Sequence, residues 1–225
     1  MKKIDTGGLA RSASQRSGMW DLLSGIYRSE PTLMLIERLR APAFSKAFKE
    51  LGFEIAEYLK GRSSTEIADE LAVEYTRLFV GPGKHIYPYE SAYTNDKSGI
   101  AFSAASSQFK DLIKSYGLGY RTDFCGAFDH IGVELEFMGK AVSEEAAAWS
   151  QAEHTTALKY LKLQKEFLKK HLLKWVPKFL EAVINRARRS FYRDIGMMTK
   201  GYISSEADEI RGLVNRFGSK QRGGK

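Results

Sequence analysis

One cysteine in 225 residues, Cys125, leaves the chain without an internal disulfide and suits a reducing cytoplasm. The apolar runs are short. Each is broken by Lys, Glu or Arg well before the ~18 residues a membrane span needs, so no membrane insertion is expected. The opening Met-Lys-Lys-Ile-Asp-Thr-Gly-Gly has charges but no apolar stretch behind them, unlike a secretory signal. Strand-type alternation and Asn-Gly or Asp-Gly hairpin pairs are missing. So are the usual catalytic devices. No Gly-x-Ser-x-Gly elbow is present, and Gly81-Pro82-Gly83-Lys84 lacks the spacing of a phosphate-binding loop. The residues three before His85, His130, His154 and His171 are Pro82, Ala127, Gln151 and Leu168, so no Glu-x-x-His pair exists. No His-Glu-x-x-His occurs, and a lone cysteine cannot build a thiolate zinc site. These absences leave no recognisable catalytic motif and no built-in metal site, so an enzyme using Asp129 and His130 is only a distant reading.

What is there reads as helix. Hydrophobic residues make up 43% and charged residues 28%, an ordinary globular balance for a chain long enough to bury a core. Ile131, Leu135, Met138 and Val142 recur at spacings of four, three and four, which makes one apolar stripe. Leu158, Leu161, Leu168, Leu172 and Trp175 make another, and Ile67, Leu71, Val73, Leu78 and Phe79 a third. Ser29-Glu30-Pro31, Ala41-Pro42 and Gly61-Arg-Ser-Ser-Thr65 separate helices, and Ser63 or Ser64 can cap the last with Glu66 in a capping box. Gly81, in a left-handed conformation, is expected to stop that helix, and Pro82 to keep it from resuming. A loop then runs to about Asn95, and a second break from Gly117 to about Phe128. Pro177 is expected in the first turn of a helix after Trp175. The fold class is all-α, a single-domain multi-helix bundle over 1–217, with 1–14 a flexible lead-in and 218–225 a disordered basic tail.

The net charge of +8 raises the possibility of a nucleic-acid partner. Much of the excess sits at the chain ends, and only Arg186-Ala-Arg-Arg-Ser-Phe-Tyr-Arg193 interleaves base and aromatic as a phosphate-tracking surface does. A helical nucleic-acid-associated regulatory protein using 186–193 is therefore the alternative function, and the disfavoured one.

Three segments are more specific together than singly. Glu74-Tyr-Thr-Arg-Leu-Phe-Val-Gly-Pro-Gly83 is followed by Pro88-Tyr-Glu-Ser91 and then by Asp129-His-Ile-Gly-Val-Glu-Leu-Glu-Phe-Met138. Taken one at a time, Tyr75, Leu78 and Phe79 are core residues, and Asp129-His130 is an ordinary helix start. Taken together, the segments resemble the TorD/DmsD family of cytoplasmic chaperones that mature molybdenum-containing redox enzymes. The chain departs from that family in carrying Gly126-Ala127-Phe128 where a Glu-Pro pair often stands. His171 with Trp175 and Pro177 is similar to a further family segment, although a spacing of four favours core packing.

The resemblance implies a molecular chaperone that binds the twin-arginine signal peptide of a molybdenum-containing oxidoreductase precursor. By the same implication it is not an enzyme and holds no cofactor of its own, assists cofactor insertion and folding before export, and acts as a monomer or domain-swapped dimer. The implied peptide-binding residues are Tyr75, Leu78, Phe79, Pro88, Tyr89, Glu90, Ser91, Asp129 and His130. The paired arginines would suit an acidic fork, with Asp123, Glu134 and Glu136 adding a local acidic patch.

Overall fold

The computed structural model describes residues 4–94, 101–122 and 127–218. Asp123, Cys125, Gly126, Asn95 and the tail after 218 lie outside them. Among the described residues ten α-helices follow one another: α1 Thr6–Arg28, α2 Leu33–Arg40, α3 Pro42–Glu50, α4 Ile55–Tyr58, α5 Ser64–Tyr75, α6 Ala101–Ser115, α7 Ile131–Ser150, α8 His154–Lys170, α9 Leu172–Arg186 and α10 Ser190–Gly218. A π-helical turn, Thr76–Val80, continues α5, and a 3-10 turn covers Glu90–Ala92. Among the described residues no strand forms; Tyr89 and His130 make one isolated antiparallel bridge. The all-α class holds.

Local chemistry sets several of these bounds. Asp5 caps α1 by accepting the Gly8 amide at 2.9 Å, so helix begins inside the stretch expected to be flexible. Ser63 caps α5 in a complete capping box: Glu66 N donates to Ser63 Oγ, and Ser63 N donates to the Glu66 carboxylate, each at 3.1 Å.

Three sequence expectations need correction. Gly81 is not left-handed, with φ −59° and ψ 164°. Its amide instead closes the π turn on Thr76 O at 2.6 Å, and a Cβ there would stand 3.2 Å from that same oxygen. Val73 is 73% exposed. It lies two positions past Leu71, about 200° around the helix, so it faces away from Ile67, Leu71 and Leu78. Pro177 sits in the interior of α9, because the chain breaks at His171 and helix resumes at Leu172. The carbonyl that loses its partner belongs to Leu173, on the solvent side of α9 with its side chain 39% exposed.

The backbone of the bundle is the α1–α7 pair, with α8, α9 and α10 packed around it. The two helices approach closely because small residues meet. Ser17 Oγ donates to Gly139 O at 3.0 Å and Ser24 Oγ donates to Gly132 O at 2.8 Å. A Cβ added at Gly132 would lie 3.0 Å from Arg28 Cα. The stripe Ile131, Leu135, Met138 and Val142 is fully buried, as are Trp20, Trp149 and Trp175.

Within this core lies a buried ion cluster. Arg16 bridges Glu145 at 3.2 Å and Glu206 at 3.0 Å and also donates to Gln164 at 3.0 Å. Trp20 and Trp149 donate their indole N–H groups to Glu206 and Glu145 at 3.1 and 3.0 Å. Removing one partner of such a buried pair costs ~3–5 kcal/mol, since the other charge is left without compensation.

Candidate functional site

After the π turn the chain doubles back, with Ile86 N donating to Leu78 O at 2.7 Å. The following strand-like stretch is then fastened to the start of α7. Ile131 N donates to Pro88 O and Glu90 N donates to Asp129 O, both at 2.9 Å. Asp129 completes the junction: Oδ2 accepts the Ser91 amide at 3.1 Å and Oδ1 accepts the Ser106 hydroxyl at 3.0 Å. His130 caps α7, its Nδ1 accepting the Gly132 amide at 3.0 Å. Burial, and then the nearby positive charge of Arg28, push the imidazole pKa down to about 4, so it stays neutral. Tyr89 stands edge-on to it, with ring centres 5.1 Å apart.

The fold therefore brings the expected residues together, but mostly inside. Tyr75, Leu78, Phe79, Pro88, Glu90, Ser91, Asp129 and His130 are all buried, and Tyr89 alone is half-exposed. Leu78 and Phe79 do not line an open groove. Phe79 packs among Tyr75, Tyr27, Phe179 and Tyr192 at ring distances of 5.0 to 6.4 Å, because its helix face points at α1, α9 and α10. Asp129 is not an open fork, since both oxygens are already taken. Glu134 is wholly buried, and Glu136 is held by Arg28, Thr122, Tyr120 and Lys140, so no surface acidic patch forms from them.

What this end offers to solvent is a different set. Val80, at the end of the π turn, is 64% exposed, and Tyr87, two positions before the half-exposed Tyr89, is 53% exposed. Glu30 is exposed at the start of that turn, accepting the Thr76 hydroxyl at 2.7 Å. Tyr75 lies near both Tyr89 and Glu30: burial, then electrostatic interaction with those two groups, pushes its phenol up to about 12. In the basic segment, Arg189 pairs with Glu70 at 2.7 Å and Arg193 with Glu54 at 3.1 Å, which dilutes the positive patch.

Two constellations escaped sequence reasoning. Glu90, Glu134 and His171 converge in the interior, with His171 Nδ1 2.7 Å from Glu90 Oε2. Trp175 Nε1 donates to Glu134 Oε2 at 3.1 Å, while Glu134 Oε1 has no hydrogen-bond partner. Burial first, and then the like charge of Glu90, hold the Glu134 carboxyl well above the usual carboxylate range. Glu90 and His171 lie 81 residues apart, so no local spacing could have announced the meeting. Elsewhere, Met19, Phe44, Phe48, Leu51, Met197 and Met198 line an apolar cleft of about 290 Å³ between α1, α3 and α10. No motif marks it.

The family described as nitrate reductase delta subunit matches residues 41–181, more than half of the chain and including the whole junction just described. The chain belongs to the nitrate reductase delta subunit family. Relatives within reach of this family member are named chaperone protein TorD, in keeping with the resemblance carried by its three motifs. The protein of that name from Aliivibrio fischeri is 29% identical over 135 residues, 60% of this chain and 60% of that protein. The chain thus spans less than two thirds of its length. The one from Shewanella sp. strain ANA-3 is 24% identical over 211 residues, covering 87% of this chain and 93% of its own. A solved structure of a proposed redox enzyme maturation protein from Archaeoglobus fulgidus is similar with TM-score 0.48 and 22% identity, covering 84% and 91%. Among the described residues of this delta-subunit family member, no helix is long and apolar enough to cross a membrane.

Proposed function

We propose that this chain is a cytoplasmic maturation chaperone for a redox enzyme and catalyses no reaction of its own. It holds the twin-arginine leader of a molybdenum-containing oxidoreductase precursor while the cofactor is inserted. Family membership and the TorD relatives support the chaperone class. The observation that carries the peptide reading is the exposure of Tyr87 two positions before the half-exposed Tyr89, and of Val80 at the end of the π turn that Glu30 touches through Thr76.

Rigid aromatic surface seats an apolar segment at low entropic cost, and each Å² of apolar area buried contributes ~25 cal/mol. The leader's arginines meet Glu30, an acid with water access, instead of the saturated Asp129. Exposed charge pairs add little each, so the apolar term dominates and salt dependence is shallow.

Titration calorimetry with a synthetic leader peptide tests this. The wild type should bind it, an arginine-to-alanine leader should bind more weakly, and Tyr87→Ala, at a 53% exposed position, should weaken binding about tenfold, or 1.4 kcal/mol, with Tm nearly unchanged. Affinity should change little between 50 and 200 mM salt, whereas several phosphate contacts by Arg186–Arg193 would cost orders of magnitude. Absence of heat with the wild type, or steeply salt-dependent nucleic-acid binding alone, would refute the proposal.

A further inference from the structure

We propose that Glu90, Glu134 and His171 form a buried site for a divalent first-row metal ion such as zinc or manganese. The three side chains come from three separate elements. Glu90 sits on the 3-10 turn, Glu134 on α7, and His171 at the break between α8 and α9. Each offers one ligand atom, and these atoms lie within 4.8 Å of one another. Atoms bound to one ion at ~2.1 Å stand at most about 4.2 Å apart, so small side-chain rotations suffice.

The chemistry of the pocket asks for a cation. Glu90, Glu134 and His171 are at most 2% exposed. Glu134 Oε1 is wholly enclosed with no N–H or hydroxyl donor, although its sister oxygen has the Trp175 N–H, and the Glu90 carboxyl lies within hydrogen-bonding reach of Glu134. The charged neighbours acting most strongly on it, Glu90 and Asp129, are both negative. Two carboxylates, a neutral imidazole and a divalent ion sum to zero charge, which removes the large cost of burying a net charge. Imidazole and carboxylate are the ligands that zinc and manganese accept.

The surroundings hold the ligands as an outer shell does. The Trp175 indole fixes Glu134, and the Phe167 ring stacks on His171 with centres 4.8 Å apart and planes 25° from parallel. Because Glu90 arrives on the loop that docks against α7, the ion enters as that loop closes, during folding. The sequence carries no Glu-x-x-His or His-Glu-x-x-His ligand pair spaced along a single helix, a pattern that this site does not use.

A shared proton between Glu90 and Glu134 is the competing way to satisfy Oε1, and the test separates the two. The full chain, purified without metal-affinity resin, is refolded from denaturant with chelator, zinc chloride or manganese chloride, then passed over a desalting column. Metal content by mass spectrometry and Tm are read. The wild type should keep about one equivalent of one of the two metals and melt higher than the chelated sample, as binding to the folded state requires. Glu134→Gln keeps volume and gives Glu90 an amide donor, so it should fold with the same circular dichroism yet retain no metal. Trp175→Phe should bind about 10- to 100-fold more weakly, which keeps a readout if the Gln variant fails to fold. A wild type that retains no metal and melts identically with and without chelator overturns the site in favour of the proton. Metal content unchanged in a folded Glu134→Gln protein overturns it too, placing the ion on more open groups such as His85 or His154.

Discussion

Asp129 accepts the backbone amide of Ser91 at 3.1 Å, joining two segments 38 residues apart. The same residue takes the Ser106 hydroxyl and, through its carbonyl, the Glu90 amide. It is a clamp between the 88–92 stretch, α6 and the start of α7. From its sequence context Asp129 looks like a contact for a bound peptide. Its burial makes it a brace for the wall behind any such contact.

Asp129→Ala should therefore act on stability before it acts on recognition. Hydrogen bonds to a charged group contribute ~1.5–3 kcal/mol each, and the Ser91 amide would be left buried without a partner. We expect a loss of about 3 kcal/mol in urea unfolding at neutral pH, with normal peptide affinity in the folded fraction. An unchanged unfolding midpoint would show that the clamp contributes nothing.

His130 makes stability depend on pH in a defined window. Its folded pKa, about 4, lies below the unfolded value of 6.5. Above 6.5 neither state takes up a proton here, and the full contribution is present. Between 6.5 and 4 the unfolded chain binds a proton that the folded chain refuses, so stability falls as pH falls. The loss approaches about 3 kcal/mol by pH 4. His130→Asn keeps a capping side chain for α7 while removing the titration. Its stability should decline less steeply from pH 6.5 to 4, measured by chemical denaturation at each pH. Parallel curves for the two proteins would contradict the assignment.

The close approach of α1 and α7 predicts unequal costs for two similar changes. Alanine at Gly132 puts Cβ 3.0 Å from Arg28 Cα, which is backbone and can yield only if the helix moves. Overpacking of that kind costs ~1–3 kcal/mol. At Gly139 the nearest atom, 2.4 Å away, is the carboxylate of exposed Asp21, which can swing into solvent. There the ~1 kcal/mol gain in helix propensity offsets the contact. Thermal melts should rank Gly132→Ala clearly below Gly139→Ala, and the reverse order would mean that α1 is free to shift.

Much of this architecture was legible in the chain because it rests on local periodicity and local chemistry. The 131–142 stripe, the Ser63–Glu66 capping box and the break at Ala41-Pro42 need no information beyond a few neighbouring residues. The candidate site was legible as a set but not as a surface. Which side of a helix faces inward near an irregular turn depends on what packs there, so Val73 and Phe79 were placed on one face although Val73 is exposed and Phe79 buried. Glu30 gave no sign of belonging near Tyr89, since only the fold brings Thr76 to it. Convergence of Glu90, Glu134 and His171 was invisible for the same reason: their proximity is a property of three docked elements.

Arg16 and Glu206 stand 190 positions apart and are bonded at 3.0 Å. On a ribosome, α1 emerges long before its acid partner exists. Until α10 has been made, the guanidinium has only Glu145 and Gln164 to neutralise and hold it, and Trp20 has no acceptor for its indole N–H. The bundle therefore closes late in synthesis, when the final helix slots against the first. A chain stopped short of Glu206 would leave the Arg16 Nε–H and the Trp20 indole N–H without their acceptor in a half-built interior, a state that favours reopening and clearance over premature engagement of a client.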